Sequence, residues 1–208
     1  MSELIESEVR IIESAKQVFI EKGFEKTKMQ DIAEKAGITR TNLNYYFRTK
    51  ENLFFSIADQ IFESLIPRVT PILDEKNSTP KEVVFKMVDI YCDFLQENRT
   101  APFFILSEIN RNPQLILEFI NNSEKIQIYF EKIRNIVLAE ADKEKLNGNP
   151  LFDKSAVELV PLIYGLVFSP YLLSPIVNEI YEGDEDEIDR FFESHRENLK
   201  IILSKVFA

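Results

Sequence analysis

Apolar residues recur at intervals of three and four along almost the whole chain, the period of helices that bury one stripe. Ile5, Val9, Ile12, Ala15, Val18 and Phe19 mark the face of a first helix that closes near Gly23. Thr27-Lys28-Met29-Gln30 has the form of a capping box and opens a second, carrying Ile32, Ala33 and Ala36. Gly37 stops it, because glycine tolerates the left-handed backbone of a tight turn. Thr39 is placed to cap a short third helix running to Tyr46 or Phe47. Thr49 is placed to cap a fourth, whose face is Phe54, Ile57, Ala58, Ile61, Phe62 and Leu65, with Pro67 near its end.

The same period predicts helices over Lys81 to Glu97 and Pro102 to Arg111, then a long one from Asn112-Pro113 to about Ala141. Polar residues from Asp142 to Pro150 read as a loop. Ser155-Ala156-Val157-Glu158 repeats the capping-box pattern and opens a helix that is apolar nearly all round. Pro161 falls near its start, and Pro170 and Pro175 disturb its end. Acidic residues from Asp184 to Glu187 suit the start of a last helix. Its face is Ile188, Phe191, Phe192, His195, Leu199, Ile202, Leu203 and Val206. No strand-like alternation or internal repeat interrupts this series. The expectation is an all-α chain of about nine helices.

Composition narrows the chemistry. Hydrophobic residues make up 45% of the 208 positions, enough for a packed core, and five scattered glycines are too few for a phosphate-cradling loop. Cys92 is the single cysteine and His195 the single histidine, so disulfides, cysteine zinc sites and histidine-based triads lack partners. A buried thiol and an imidazole at the edge of a helix face are the plain readings of these two. No secretory signal or membrane span is apparent: the stretch from Val157 to Val177 contains Glu158 and three prolines. We therefore expect a cytoplasmic protein that is not an enzyme and needs neither cofactor nor metal.

The net charge of −10 would argue against nucleic acid, but its distribution does not. Residues 1–56 hold nine basic and nine acidic side chains, leaving 16 basic and 26 acidic ones in residues 57–208. Within residues 24–50 six basic residues face three acidic ones, a locally basic segment on an acidic body.

The stretch Asp31 to Phe47 carries the most information. A helix-turn-helix needs a small residue where its helices cross, a turn glycine and an apolar residue after it. Ala33, Gly37 and Ile38 occupy those places. Leu43 and Phe47, four apart, share the buried face of the second of these helices. Arg40, Thr41, Asn44 and Tyr45 then face outward, a hydrogen-bonding surface of the kind that reads a major groove.

Gly23, Thr27, Ile32-Ala33, Ala36-Gly37-Ile38, Leu43, Tyr45-Tyr46-Phe47 and Lys50-Glu51-Asn52-Leu53 together resemble the pattern of tetracycline-repressor-like (TetR/AcrR) transcriptional regulators, over about residues 8–56. The resemblance implies a three-helix DNA-binding domain over 1–50 and a helical dimerisation and ligand-sensing domain over 51–208. It places Arg40, Thr41 and Asn42 at base-reading positions, with Tyr45, Tyr46 and Lys50 on phosphates. Thr27 and Lys28 would touch the backbone from the second helix. Thr41-Asn42 stands where the family often has Gly-Thr, and Asn44 where it usually has Tyr, so the operator sequence does not follow from the resemblance.

Partners follow from the same reading. Double-stranded DNA with a near-palindromic operator is one, and a second copy of the chain is another. The last helix has a regular apolar face and its predecessor is apolar all round. Phe168, Phe192, Leu199 and Leu203 are therefore assigned to a dimer interface. A small apolar or aromatic effector would sit among Tyr91, Phe94, Phe103, Phe104, Tyr129 and Phe168, although aromatics at helical spacing are more often core. Two other readings compete. One is a helix-turn-helix-shaped protein-interaction module that does not bind DNA; the retained Arg40, Asn42, Asn44 and Lys50 argue against it. The other is an enzyme using paired carboxylates, for which no pair can be named.

Overall fold

The computed structural model describes residues 2–75, 77–146 and 156–206. Eleven helices and no strand occur among them. They are α1 (Ser2–Lys22), α2 (Met29–Lys35), α3 (Arg40–Tyr46), α4 (Lys50–Leu73), α5 (Pro80–Glu97), α6 (Ala101–Arg111), α7 (Pro113–Asn121), α8 (Glu124–Leu146), α9 (Ala156–Leu172), α10 (Ser174–Ile180) and α11 (Glu185–Val206). None of the described helices is long and apolar enough to cross a membrane.

Several predicted boundaries hold because their caps form. Thr39 Oγ1 accepts the N–H of Asn42 at 3.1 Å, and Thr49 Oγ1 that of Asn52 at 3.1 Å. Asn112 caps α7 by accepting the N–H of Leu115 at 3.2 Å. Other boundaries differ. The long helix expected from Pro113 to Ala141 is two helices, broken where the N–H of Asn122 returns to Glu118 and that of Ser123 to Ile120. The predicted loop from Asp142 is helical to Leu146, and 147–150 and Ser155 lie outside the described residues. Pro67 and Pro71 stand inside α4 instead of ending it.

Pro170 likewise stands inside α9, and its missing N–H leaves the carbonyl of Leu166 without its helical donor. Nε2 of His195 lies 3.0 Å from that carbonyl oxygen and supplies the bond from α11. Burial lowers the His195 pKa, and the Leu166 bond works weakly against that.

The chain forms two compact units. The first contains residues up to Ser64 together with Phe103–Ser123; the second contains Leu65–Pro102 and the residues from Glu124 onward. The boundary therefore falls inside α4 and inside α6. It does not follow a single division after residue 50.

The first unit is built around rings. Phe54 stacks on Phe104 at 4.7 Å and meets Phe19 and Phe24 edge-on, each at 5.5 Å. Phe55 and Phe62 lie against Phe119 of α7 at 5.7 Å each. Ile11, Ala15, Ile32, Ala33, Leu43 and Leu53 complete a core that excludes water. In the second unit Tyr171 stacks on Phe192 at 4.5 Å. Val88, Leu95, Val167, Leu199 and Leu203 are buried in the same unit. Ion pairs Arg196–Asp93 at 2.5 Å and Lys200–Asp89 at 2.6 Å tie α11 to α5 along the rim of this core.

Candidate nucleic-acid interface

The turn between α2 and α3 has the geometry that a left-handed glycine permits. Gly37 has φ +67°, its N–H returns to Glu34 at 3.2 Å, and the N–H of Ile38 returns to Ala33 at 3.0 Å. These two bonds form a Schellman closure of α2. Ala33 is fully buried where α2 packs between α1 and α3, and Leu43 is fully buried on α3. Burying that one face leaves Arg40, Thr41, Asn42, Asn44 and Tyr45 exposed on the other, with Tyr45 81% accessible. Tyr46 is half-buried and packs edge-on to Tyr45 at 5.6 Å. Lys28 is exposed at the entry to α2.

The surrounding charges are arranged so that cations remain available. Lys22 neutralises Asp31 at 3.1 Å, and Lys35 neutralises Glu21 at 2.6 Å. The backbone N–H of Lys28 and then the Lys22 ammonium hold the Asp31 pKa below its ordinary value. Arg40 makes no ion pair with any described residue and projects unneutralised beside Asn42.

Two sequence assignments change here. Thr27 was assigned both a helix cap and a backbone contact with DNA. It is only 2% exposed, and its hydroxyl donates to the carbonyl of Gly23 at 2.7 Å, so it faces the protein. The cap position falls to Lys28, whose side chain has no acceptor. Asp31 accepts the Lys28 N–H at 2.9 Å instead. Lys50 was assigned to a phosphate. Its ammonium donates to the carbonyl of Phe24 at 2.7 Å, approaches that of Glu25 at 3.4 Å and lies 4.2 Å above the Phe24 ring. Lys50 thus ties the start of α4 to the α1–α2 turn.

The aromatic residues assigned to a pocket are divided between the two units. Phe104, 1% exposed, and half-buried Phe103 belong to the first unit, where Phe104 is core. Tyr91, Phe94, Tyr129 and Phe168 belong to the second. There the Tyr91 hydroxyl meets the hydroxyls of Tyr129 and, at 3.1 Å, Tyr164, a residue outside the assigned set. Phe168 stacks on Tyr164 at 5.3 Å. Burial raises all three phenol pKa values, so the cluster is neutral and its oxygens act as hydrogen-bonding groups. A groove of about 430 Å³ runs over the same unit, lined by Ile66, Thr70, Glu124, Lys125, Ile128, Tyr129 and Lys132. Of the assigned residues it holds Tyr129 alone.

The dimer assignments change for a related reason. Phe192, Leu199 and Leu203 are at most 2% exposed within the single chain, so their stripe is the core face of α11. Phe168 is half-buried among rings. Apolar side chains open to solvent include Leu173 just before α10, Ile176 and Ile180 on α10, and Ile201 and Ile202 on α11; Val9, Ile109, Leu117 and Ile128 are exposed singly elsewhere.

Residues 11–57 match the family model of "Bacterial regulatory proteins, tetR family". Among curated proteins the chain is 22% identical over 199 residues to the "Probable HTH-type transcriptional regulator YttP" of Bacillus subtilis, covering 95% of this chain and 92% of that one. The HTH-type transcriptional regulator RutR of Escherichia coli is 42% identical over 53 residues, 26% of this chain and 25% of RutR. Among solved structures, the transcriptional regulator FadR of Bacillus subtilis in complex with stearoyl-CoA aligns over 92% of this chain and 96% of its own. Its TM-score is 0.53 and its identity 20%, so it shares the fold. The buried crossing at Ala33, the Gly37 closure, the open polar face of α3 and the family match identify residues 11–57 as a tetR-type helix-turn-helix region, and the chain as a DNA-binding transcriptional regulator.

Proposed function

We propose that the protein binds a near-palindromic operator as a homodimer and is released from it by a small apolar or aromatic molecule. The observation that carries the DNA half is the surface of α3. Its one apolar side chain is buried, and five hydrogen-bonding residues from Arg40 to Tyr45 stand open together. Arg40 and Asn42 read base edges in this proposal, Thr41 and Asn44 support them, and Lys28, Tyr45 and Tyr46 meet phosphates. Lys50 acts through the turn it holds. The solvent-facing isoleucines of α10 and α11 support a second copy as the partner that covers them, with the symmetric contact a two-fold pair makes.

The effector is proposed to enter the second unit, where the neutral phenols of Tyr91, Tyr129 and Tyr164 offer polar anchors among rings. Its action requires unequal affinity for the DNA-bound and free arrangements of the dimer. Selection of bound duplexes from random DNA with purified protein tests the proposal. It should enrich one motif with two inverted half-sites. Enrichment of no motif by folded protein would overturn it.

A further inference from the structure

We propose that Glu108, on α6, is a positioning residue for DNA binding: its carboxylate fixes the α1–α2 turn and thereby the seat of α2 and α3. This rests on the DNA-binding reading of the α3 face.

The chain leaves α1 through Gly23 at φ +77°, so the next amide, that of Phe24, has no helical acceptor. Oε1 of Glu108 accepts it at 3.1 Å, across 84 positions of sequence. The carbonyl of the same residue accepts the Lys50 ammonium at 2.7 Å. Phe24 is thus held at its N–H by α6 and at its C=O by α4. Around this grip Asn112 donates to Glu25 at 2.7 Å. The Arg111 guanidinium lies over Gly23 so closely that a Cβ there would stand 2.9 Å from its Nη1. All of these residues belong to the first unit.

Glu108 is 1% exposed, and its second oxygen, Oε2, has no hydrogen-bond partner. A buried carboxylate with an idle oxygen carries a desolvation cost that an apolar side chain of similar size would avoid. The carboxylate supplies the bond to Phe24, which an apolar side chain cannot, and the same Oε1 lies 3.4 Å from Nη1 of Arg111, a long contact that an amide oxygen at this place also accepts. Three residues further on, Thr27 closes the turn through the Gly23 carbonyl and leads directly into α2, on which α3 packs. Loosening the Phe24 amide therefore loosens the platform beneath the polar face of α3.

The test compares the full-length protein with Glu108→Gln, which keeps an acceptor for Phe24, and Glu108→Leu, which removes it. Two readouts are taken where all three proteins show native circular dichroism. One is exchange of the Phe24 amide without DNA; the other is affinity for a duplex selected from random sequence by the unsubstituted protein. Glu108→Leu should speed Phe24 exchange and weaken binding, each on the order of tenfold, whereas Glu108→Gln stays within about twofold on both. If Glu108→Leu does not fold, Glu108→Asn, too short to reach Phe24, takes its place with the same expectations. Native affinity or unchanged Phe24 protection in the acceptor-less variant overturns the proposal, as does equal weakening by Glu108→Gln. Failure of the unsubstituted protein to select any duplex would instead sink the DNA-binding reading, while Phe24 exchange still reads the hold of Glu108 on the turn.

Discussion

Phe104 shows how far a residue's place can lie from its sequence neighbourhood. It follows half-buried Phe103, yet its ring stacks on Phe54 and packs against Phe19 at 6.2 Å, inside the first unit. Phe104→Ala should lower stability by about 3–5 kcal/mol, the cost of emptying a ring-sized site, as read by chemical denaturation. A loss under 1 kcal/mol, with altered effector response, would instead mark it as a pocket residue. His195 is the other informative single residue. Its folded pKa is depressed below the ordinary 6.5, so the unfolded chain binds the proton more readily. Its contribution is complete above pH 6.5 and is lost as pH falls from there through the folded value. His195→Gln should remove the stability loss in that window. The surface carboxylates with lowered pKa values, Asp31, Glu75, Glu82 and Glu97, act only in a more acidic range. An unchanged pH profile in the variant would refute this assignment. Sequence alone placed His195 on a helix-face edge but could not reveal its acceptor, because Leu166 and Pro170 lie on another helix.

Among elements, α3 was the most legible. Its cap, its turn glycine and its buried leucine are local signals, and each forms as the spacing indicates. The helix breaks that escaped notice lack such signals. Between α7 and α8 the chain has Asn122 and Ser123 but no glycine or proline, and the apolar period continues across them. The prolines of α4 and α9 misled in the opposite sense: α4 runs on through Pro67 and Pro71, and in α9 His195 serves the carbonyl that Pro170 leaves free. Thr27 failed as a cap because its hydroxyl found the Gly23 carbonyl first. Within α3 the roles of individual residues are separable. Arg40→Ala and Asn42→Ala should weaken operator binding more than binding to random duplex, by about 1–3 kcal/mol of discrimination if each makes a good base contact. Lys50→Ala should weaken both DNAs alike and also lower thermal stability, since it frees the Phe24 carbonyl. Titrations of the three variants at two salt concentrations check this. A change of base preference in Lys50→Ala alone would reverse the roles.

For the whole molecule, the apolar period of α11 was readable from sequence, but which copy of the chain it buries against was not. Ile188, Phe192, Leu199 and Leu203 fall on one stripe and turn inward within the chain. Ile201 and Ile202 fall between the inward positions and face solvent. A homodimer should therefore respond to the outer residues. Ile176→Glu with Ile201→Glu should give a folded monomer by light scattering, whereas Leu199→Glu should unfold the chain first. Dimers surviving the double change would place the interface elsewhere. The division of the units bears on the order in which the protein can be completed. The DNA-binding helices share their core with Phe104, Leu115, Ile116 and Phe119, which come after the whole of α5. A chain emerging from the ribosome therefore leaves part of the apolar sides of α1 and α4 uncovered until α7 has been made. The DNA-binding end therefore cannot close its core on the first four helices alone, and a fragment cut after α4 would keep its reading face but lose the aromatic wall that Phe104 and Phe119 supply.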